Sequence, residues 1–370
     1  MFLALAFSLA FSLQANHLVI PITIDGTPTY AIFDTGGGNT IDPQFARKLG
    51  LRVQPSGTAV GAGEATIKAS RTHVDALGFG GLTMRDQDFA VLPLPGALTH
   101  GNGVTINAIV GREILAHYVT RIDYDAQALT FTPSNDFHYD GSGAAVPLQL
   151  RESEAIVRSS IDGLAGSFMI DTGSSASLIL SSPFVDAHNL RETYQTAGSM
   201  IVGRGIGGYS RADLARGKRL RIGTFEIDDI LIELSTDTAG AFASHWIDGN
   251  LGNDVLRRLT MTLDYRHHVV YIEPNSRTNV PTPSNRAGMY VQNDDRNYFD
   301  VVDVLASGPA SEAGLRTGDR ITAIDGIPAA RVTENDFWQL LRDPIGTTHV
   351  FTVEHNGQTN SVSVTLRDIA

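Results

Sequence analysis

The sequence predicts a mostly β protein built from a duplicated domain and a smaller third unit. Three observations carry this. The chain holds 37 glycines, with β-branched and aromatic residues in short bursts, which fits strands joined by tight turns. Four sequence blocks recur in the same order. Residues 286–370 share none of those blocks and form a pattern of their own. A length of 370 residues suits two or three domains at about 150 residues each.

Composition narrows the function classes. Hydrophobic residues make up 42% and charged residues 18%, an ordinary globular balance that excludes a largely disordered chain. The net charge of −12 and the lack of a long basic run argue against nucleic acid as a partner. With no cysteine, a disulfide scaffold, a thiolate zinc site and a cysteine nucleophile are all excluded.

Residues 1–13, MFLALAFSLAFSL, are apolar and uncharged. They are too short to span a bilayer, which takes about 20 residues, and suit the core of an export signal. No Lys or Arg precedes the stretch and no clean small-x-small site follows it, so a first strand, with 11–13 pairing to 17–24, is the competing reading. Export implies a periplasmic or secreted protein.

The repeat is read from its blocks. Ala31-Ile-Phe-Asp-Thr-Gly36 returns as Phe168-Met-Ile-Asp-Thr-Gly173, and Ala108-Ile-Val-Gly-Arg-Glu-Ile-Leu115 as Gly249-Asn-Leu-Gly-Asn-Asp-Val-Leu256. Ile122-Asp-Tyr-Asp125 and Thr130–Pro133 return as Leu263-Asp-Tyr-Arg266 and Tyr271–Pro274. Each copy opens on an alternating strand (18–24; 154–161) and turns at Asp25-Gly26 or Asp162-Gly163. It then runs through an apolar strand into Asp-Thr-Gly. A Gly-rich stretch, a strand pair, a short helix (112–117; 254–259) and a closing hairpin follow. The expected divisions are lobe 1 at 14–134, a linker at 135–147, lobe 2 at 148–275, a linker at 276–285 and the last unit at 286–370.

The doubled Asp-Thr-Gly carries the chemistry. An apolar strand ending in Asp brings a carboxylate to the edge of a core, and Gly permits a sharp turn and a close approach. Two such turns facing each other put Asp34 and Asp171 side by side. Like charges that close cannot both ionise, so the pair shares a proton. One carboxyl can then activate water while the other polarises a carbonyl. Ser174 follows the second motif where Gly37 follows the first. A hydroxyl there would stabilise the charge on Asp171 and leave the proton on Asp34.

On Asp34-Thr35-Gly36, Asp171-Thr172-Gly173 and Ile109-Val110-Gly111, residues 17–274 resemble the pepsin-like and retropepsin-like aspartic proteases, most closely the bacterial retropepsin type with both lobes on one chain. The resemblance implies duplicated β-barrel lobes around one cleft. It implies Asp34 and Asp171 as the catalytic dyad and Thr35 and Thr172 bonding across the axis, with Gly36, Gly173 and Ser174 in support. It places flaps at Val60, Gly61 and Gly63 and at Gly203, Gly205 and Tyr209. No metal or cofactor is implied. The sequence departs from the family at Asn250, where an apolar residue is usual, and in lacking a tyrosine in the first flap.

Competing signals have bland readings. Gly203-x-Gly205-x-x-Gly208 matches a dinucleotide fingerprint but is followed by a charged strand pattern rather than a helix. Asp237-Thr238-Ala239 lacks the Gly and the apolar strand. Arg211, Arg216, Lys218, Arg219 and Arg221 read as a solvated strand face, and His267-His268 as a surface turn. No Gly-x-Ser-x-Gly element points to a serine hydrolase.

In the last unit, Ser307-Gly-Pro-Ala-Ser-Glu-Ala-Gly-Leu-Arg-Thr-Gly-Asp-Arg-Ile-Thr-Ala-Ile-Asp-Gly326 resembles bacterial PDZ domains, small α+β modules that bind peptide as an added strand. The resemblance assigns the carboxylate loop to Ala287 and Gly288, and the binding strand to Met289, Tyr290 and Val291. Phe337 and Leu341 belong to a groove helix over 333–342 with Thr333 as its N-cap. Peptide C-termini are the ligands implied. The whole reads as an aspartic endopeptidase of protein or peptide substrates, without a transmembrane span. A non-catalytic peptide-binding scaffold and an enzyme of non-peptide amides or esters stay open. A unit joined by a linker would leave turnover untouched when removed.

Overall fold

A computed structural model of the chain describes residues 6–96, 104–152, 154–196, 198–293 and 297–370. Both lobes open on the same hairpin. His17–Ile24 pairs with Thr27–Asp34, and Glu154–Ile161 with Leu164–Ile170. The turns use Asp-Gly with both residues at positive φ, the backbone that a two-residue hairpin demands. The two opening strands share one burial pattern residue for residue, so each copy turns the same face to its core. The apolar strand that ends in Asp then pairs in parallel with the strand of the second block: Asp34 lies opposite Gly111, and Met169 opposite Asn250. The expected helices are single turns at Arg112–Leu115 and Asn253–Leu256.

The lobes are joined by more than their linker. Tyr118–Asp123 of the first pairs antiparallel with Leu259–Asp264 of the second, so one 13-stranded sheet crosses from lobe to lobe. A single apolar core runs through both, with Phe33, Phe131 and Phe168 fully buried. The linker is shorter than expected, because the strand Ala144–Arg151 takes its last residues into this sheet.

The apolar N-terminus follows the competing strand reading from Phe7 on. From Phe7 on, the stretch expected as an export signal is part of the fold. Phe7–Ala10 pairs with Ala128–Phe131, and Ser12–Gln14 with His17–Val19. Phe11 is buried edge-on against Tyr124 at 5.7 Å. An uncharged run with alternating exposure suits a sheet edge as well as a signal core, and here it finds strand partners at Ala128–Phe131.

Residues 289–365 hold a six-stranded sheet with its own core of Phe299, Phe337 and Phe351. Its helix Glu334–Leu340 is capped by Thr333 and Asp336, each side chain bonding the other's backbone N–H. This module is docked rather than tethered. Arg342 reaches fully buried Asp254 of lobe 2 with both terminal nitrogens, at 3.1 and 2.7 Å. Asp303 accepts from the Ile201 N–H at 2.7 Å and pairs with Arg211 at 2.9 Å. Met200 and Leu214 pack on Leu305 and Ile369. The expected linker is itself fixed: Ser276 donates to Asp125, and the Thr282 carbonyl accepts from Arg216. Two of the five basic residues read as a solvated face, Arg211 and Arg216, thus hold the C-terminal region in place.

Breaking a buried ion pair by removing one partner costs about 3–5 kcal/mol, and Arg257 still reaches Asp254 at 3.1 Å. Arg342→Met should therefore lower the stability read by urea unfolding by about 3 kcal/mol. A chain cut at 285 should melt well below the full chain or aggregate, because Asp254 loses Arg342 while Met200 and Leu214 are bared. An unchanged melting temperature after truncation would show that the contacts are idle.

Candidate active site

The two Asp-Thr-Gly turns meet where the lobes meet. Thr35 Oγ1 donates to the Ile170 carbonyl at 2.7 Å and accepts from the Thr172 N–H at 3.0 Å. Thr172 Oγ1 does the same with the Phe33 carbonyl and the Thr35 N–H, at 2.7 and 3.0 Å. Both threonines are fully buried. Four buried backbone groups that no sheet could reach are satisfied by two hydroxyls, each on the opposite strand end.

This grip brings the carboxyls of Asp34 and Asp171 within hydrogen-bond reach of each other. Each is also held by its own loop, Asp34 Oδ1 by the Gly36 N–H at 2.8 Å and Asp171 Oδ1 by the Gly173 N–H at 2.9 Å. The glycines are there for space rather than for a left-handed turn. A Cβ on Gly36 would stand 2.8 Å from the Asp171 carboxyl carbon, and one on Gly37 2.5 Å from Asp34 Oδ2. A Cβ on Gly173 would collide with the Asp34 carboxyl.

Burial pushes the Asp34 carboxyl well above its ordinary range, and the neighbouring Asp171 charge adds to it. Burial raises Asp171 as well, but the Asn250 amide, the Asp34 side chain and the Gly173 N–H pull the other way. The shared proton therefore favours Asp34. The donor to the outer oxygen of Asp171 is Asn250, Nδ2 to Oδ2 at 2.6 Å. The Ser174 hydroxyl, which the sequence offered for this, instead accepts the Ala176 N–H at 3.4 Å. Asn250 stood out as a departure from the family, and its place beside Met169 in the second parallel pair is the signal that identifies it.

Further supports went unseen in the sequence. Asn253 Nδ2 donates to the Thr172 carbonyl at 2.7 Å, and its Oδ1 accepts from Tyr124 at 2.7 Å. Asn16 Nδ2 holds the Ser175 carbonyl at 2.7 Å. His17 bonds the Gly173 backbone, and burial lowers its pKa to about 4.

The expected flaps meet each other. Gly207 N–H donates to the Ala62 carbonyl, and the Ala65 N–H to the Gly207 carbonyl, both at 2.8 Å. Gly63 N–H reaches Ser210 Oγ at 2.9 Å. Gly203 and Gly205 lie in the strand Ser199–Gly205, the first arm of the second hairpin, while Gly61 accepts from Ala241 and Val60 is exposed. Tyr209 turns away to the C-terminal module, its hydroxyl 2.5 Å from Gln292 and its ring edge-on to Tyr290.

The groove residues expected in that module lie together. Met289 and Phe337 are fully buried, Leu341 is 3% exposed, and Gly288 is buried. Met289, Tyr290 and Val291 form the sheet's edge strand with Gln292. A cavity of about 160 Å³ lies between this groove and lobe 2, walled by Tyr290 and Phe337 on one side and Val202, Glu233, His17 and Ser175 on the other. Asn285 occupies the loop end: its Nδ2 donates to the Met289 carbonyl at 2.6 Å, and its Oδ1 accepts from Ala287 and Gly288.

Two β lobes with paired carboxyls at their junction define the aspartic proteinase class of fold. A family model described as aspartyl protease matches residues 20–114 and 157–255, over half the chain, and the chain belongs to that family. A second, described as PDZ domain, matches residues 280–366. Among solved structures, the aspartic proteinase from Irpex lacteus is similar over 75% of this chain and 99% of that one, at 15% identity and a TM-score of 0.46, too loose a likeness to carry argument. No curated protein sequence matches the chain.

Thr35→Val and Thr172→Val keep shape but orphan two buried backbone groups each. Each should lower stability by about 3 kcal/mol in denaturant unfolding. Gly173→Ala should fold poorly or separate the carboxyls, and a variant as stable as the parent would contradict the close approach.

Proposed function

We propose that the chain is an endopeptidase in which Asp34 and Asp171 act together on a water molecule. Asp171 takes a proton from the water while Asp34 donates its own to the substrate carbonyl oxygen. Addition of hydroxide to the carbonyl carbon gives a tetrahedral diol, and the proton now on Asp171 passes to the amide nitrogen as the C–N bond breaks. Asp34 recovers its proton from the collapsing diol. Each proton is returned, and no covalent intermediate is needed. The observation that carries this reading is the carboxyl pair itself, held in contact by the crossed threonines. Thr35, Gly36, Thr172, Gly173 and Ser174 support the pair. The stretches around Val60, Gly61 and Gly63 and around Gly203 and Gly205 close over an extended peptide.

In this reading lobes 14–134 and 148–275 form the catalytic body, and 286–370 is the peptide-binding module. A peptide C-terminus would add to the edge strand Met289–Val291, between Gly288 and the side chains of Phe337 and Leu341. It would first have to displace Asn285 from Met289, Ala287 and Gly288. The periplasmic or secreted location rests on residues 1–13 alone, of which 7–10 and 12–13 pair in the sheets. No helix among the described residues is long and apolar enough to cross a membrane.

Digestion of a random peptide library tests the proposal. The parent should cut, and Asp34→Asn and Asp171→Asn should each lose about 10³-fold or more. The double variant should be no worse than either, because the pair works as one unit. Additive losses, with substantial activity left in each single variant, would sink the dyad. A parent that binds peptides and never cuts would favour a scaffold.

A further inference from the structure

The two halves of the repeat treat their carboxyls differently. Ile109 and Asn250 occupy the same place in each copy. Ile109 lies opposite Ile32 and Asn250 opposite Met169, each two residues before its aspartate. One presents a hydrocarbon to its half of the site, the other an amide whose Nδ2 sits 2.6 Å from Asp171 Oδ2. Gly37 likewise gives Asp34 no side-chain donor.

Asn250 is an odd choice for packing alone. It is 1% exposed, and its Oδ1 has no hydrogen-bond partner among the described residues. A buried amide with an unmatched acceptor costs stability that an aliphatic residue would not. Its one polar contact is to the dyad.

We propose that Asn250 is a positioning residue that holds Asp171 as the charged member of the pair and thereby assigns base and acid between two otherwise equivalent carboxyls. This deepens the proposed function and rests on it. An amide N–H₂ aimed at the outer oxygen favours a carboxylate there and disfavours a carboxylic acid. The proton is then left to Asp34, to which Ile109 and Gly37 bring no side-chain donor. The burial of Asp171 and its Asn250 contact pull its affinity for a proton in opposite directions, consistent with that division.

Other titratable groups face the pair. Asp171 bears on Tyr124 and Glu154, and Asp34 on Tyr265; Arg257 and Arg112 lie behind them. His17, bonded to Gly173, changes charge at about 4. All of these are present in parent and variant alike, so the difference between the two reports Asn250.

The test is Asn250→Ile, which copies the first lobe into the second, with near-isosteric Asn250→Asp beside it in case the former fails to fold. The acidic limb of the kcat/KM–pH profile marks the ionisation that leaves one proton on the pair. With the amide gone, the charged form of Asp171 loses a donor, its affinity for a proton rises, and the limb should move up by about one pH unit. The alkaline limb, which reports loss of the second proton, should move less. Asn250→Asp should move the acidic limb up as well. The reciprocal Ile109→Asn should pull the alkaline limb down by giving Asp34 a donor. Melting of Asn250→Ile should be no lower than the parent's. An acidic limb that stays in place in a folded variant, or a variant that is merely less stable, overturns the proposal. Carbon-13 carboxyl titration of the dyad by NMR reads the same shift without substrate. A moved Asp171 titration in a protein that cuts no peptide keeps the role of Asn250 and rejects the protease reading. Hydrolysis with an unmoved titration does the reverse.

Discussion

Two carboxyls cannot be brought together in a buried place unless something stronger than their repulsion holds the chain ends that carry them. Here that is the crossed bonding of Thr35 and Thr172. Each hydroxyl satisfies a donor and an acceptor from the other lobe's strand end, so neither turn is complete alone. Much of the remaining structure follows from this. The glycines beside the aspartates exist because the opposite carboxyl fills the space a Cβ would need. The sheet that crosses from lobe to lobe and the continuous core keep the two turns in register.

The support extends beyond the two lobes. Thr172 is held by Asn253, whose neighbour Asp254 is held by Arg342 of the C-terminal module and by Asn16 of the N-terminal hairpin. Both ends of the chain therefore converge behind the second turn. The module's groove opens toward lobe 2, and the hairpin carrying Tyr209 is held by the module's Gln292 and Asp303. The cavity beside the module's edge strand is walled by lobe residues as well, so the module and the lobes do not sit as separate bodies.

What was legible in the sequence was local or repeated. Asp-Gly turns, the alternating strands and the doubled Asp-Thr-Gly are short-range signals, and their recurrence in the same order gave the two-lobed β architecture and singled out Asp34 and Asp171. Thr333 as a helix cap was legible for the same reason. What was not legible depended on distant partners. Residues 7–14 could not be told from an export signal because their partners lie at 128–131 and in the strand just downstream. Arg211 and Arg216 looked like a wet surface because Asp303 and Thr282 belong to another part of the chain. Ser174 offered a hydroxyl just past the second Asp-Thr-Gly, yet the side chain that donates to Asp171 Oδ2 is the amide of Asn250, 79 residues on.

The floor and the roof of the junction are held very unequally. Below, the lobes share a ladder of paired strands and an apolar interior, and parting them would expose hydrocarbon and break many bonds at once. Above, glycine-rich tips touch through two backbone bonds, Gly207 to Ala62 and Ala65 to Gly207, and through the Gly63 N–H on Ser210 Oγ, with Gly61 and Glu64 held from Ala241 and Thr238. Each such bond is worth about 1 kcal/mol net. The floor holds many such bonds and a continuous apolar core besides. Parting the tips therefore breaks far fewer bonds than parting the lobes, so the junction is soft on one side and rigid on the other.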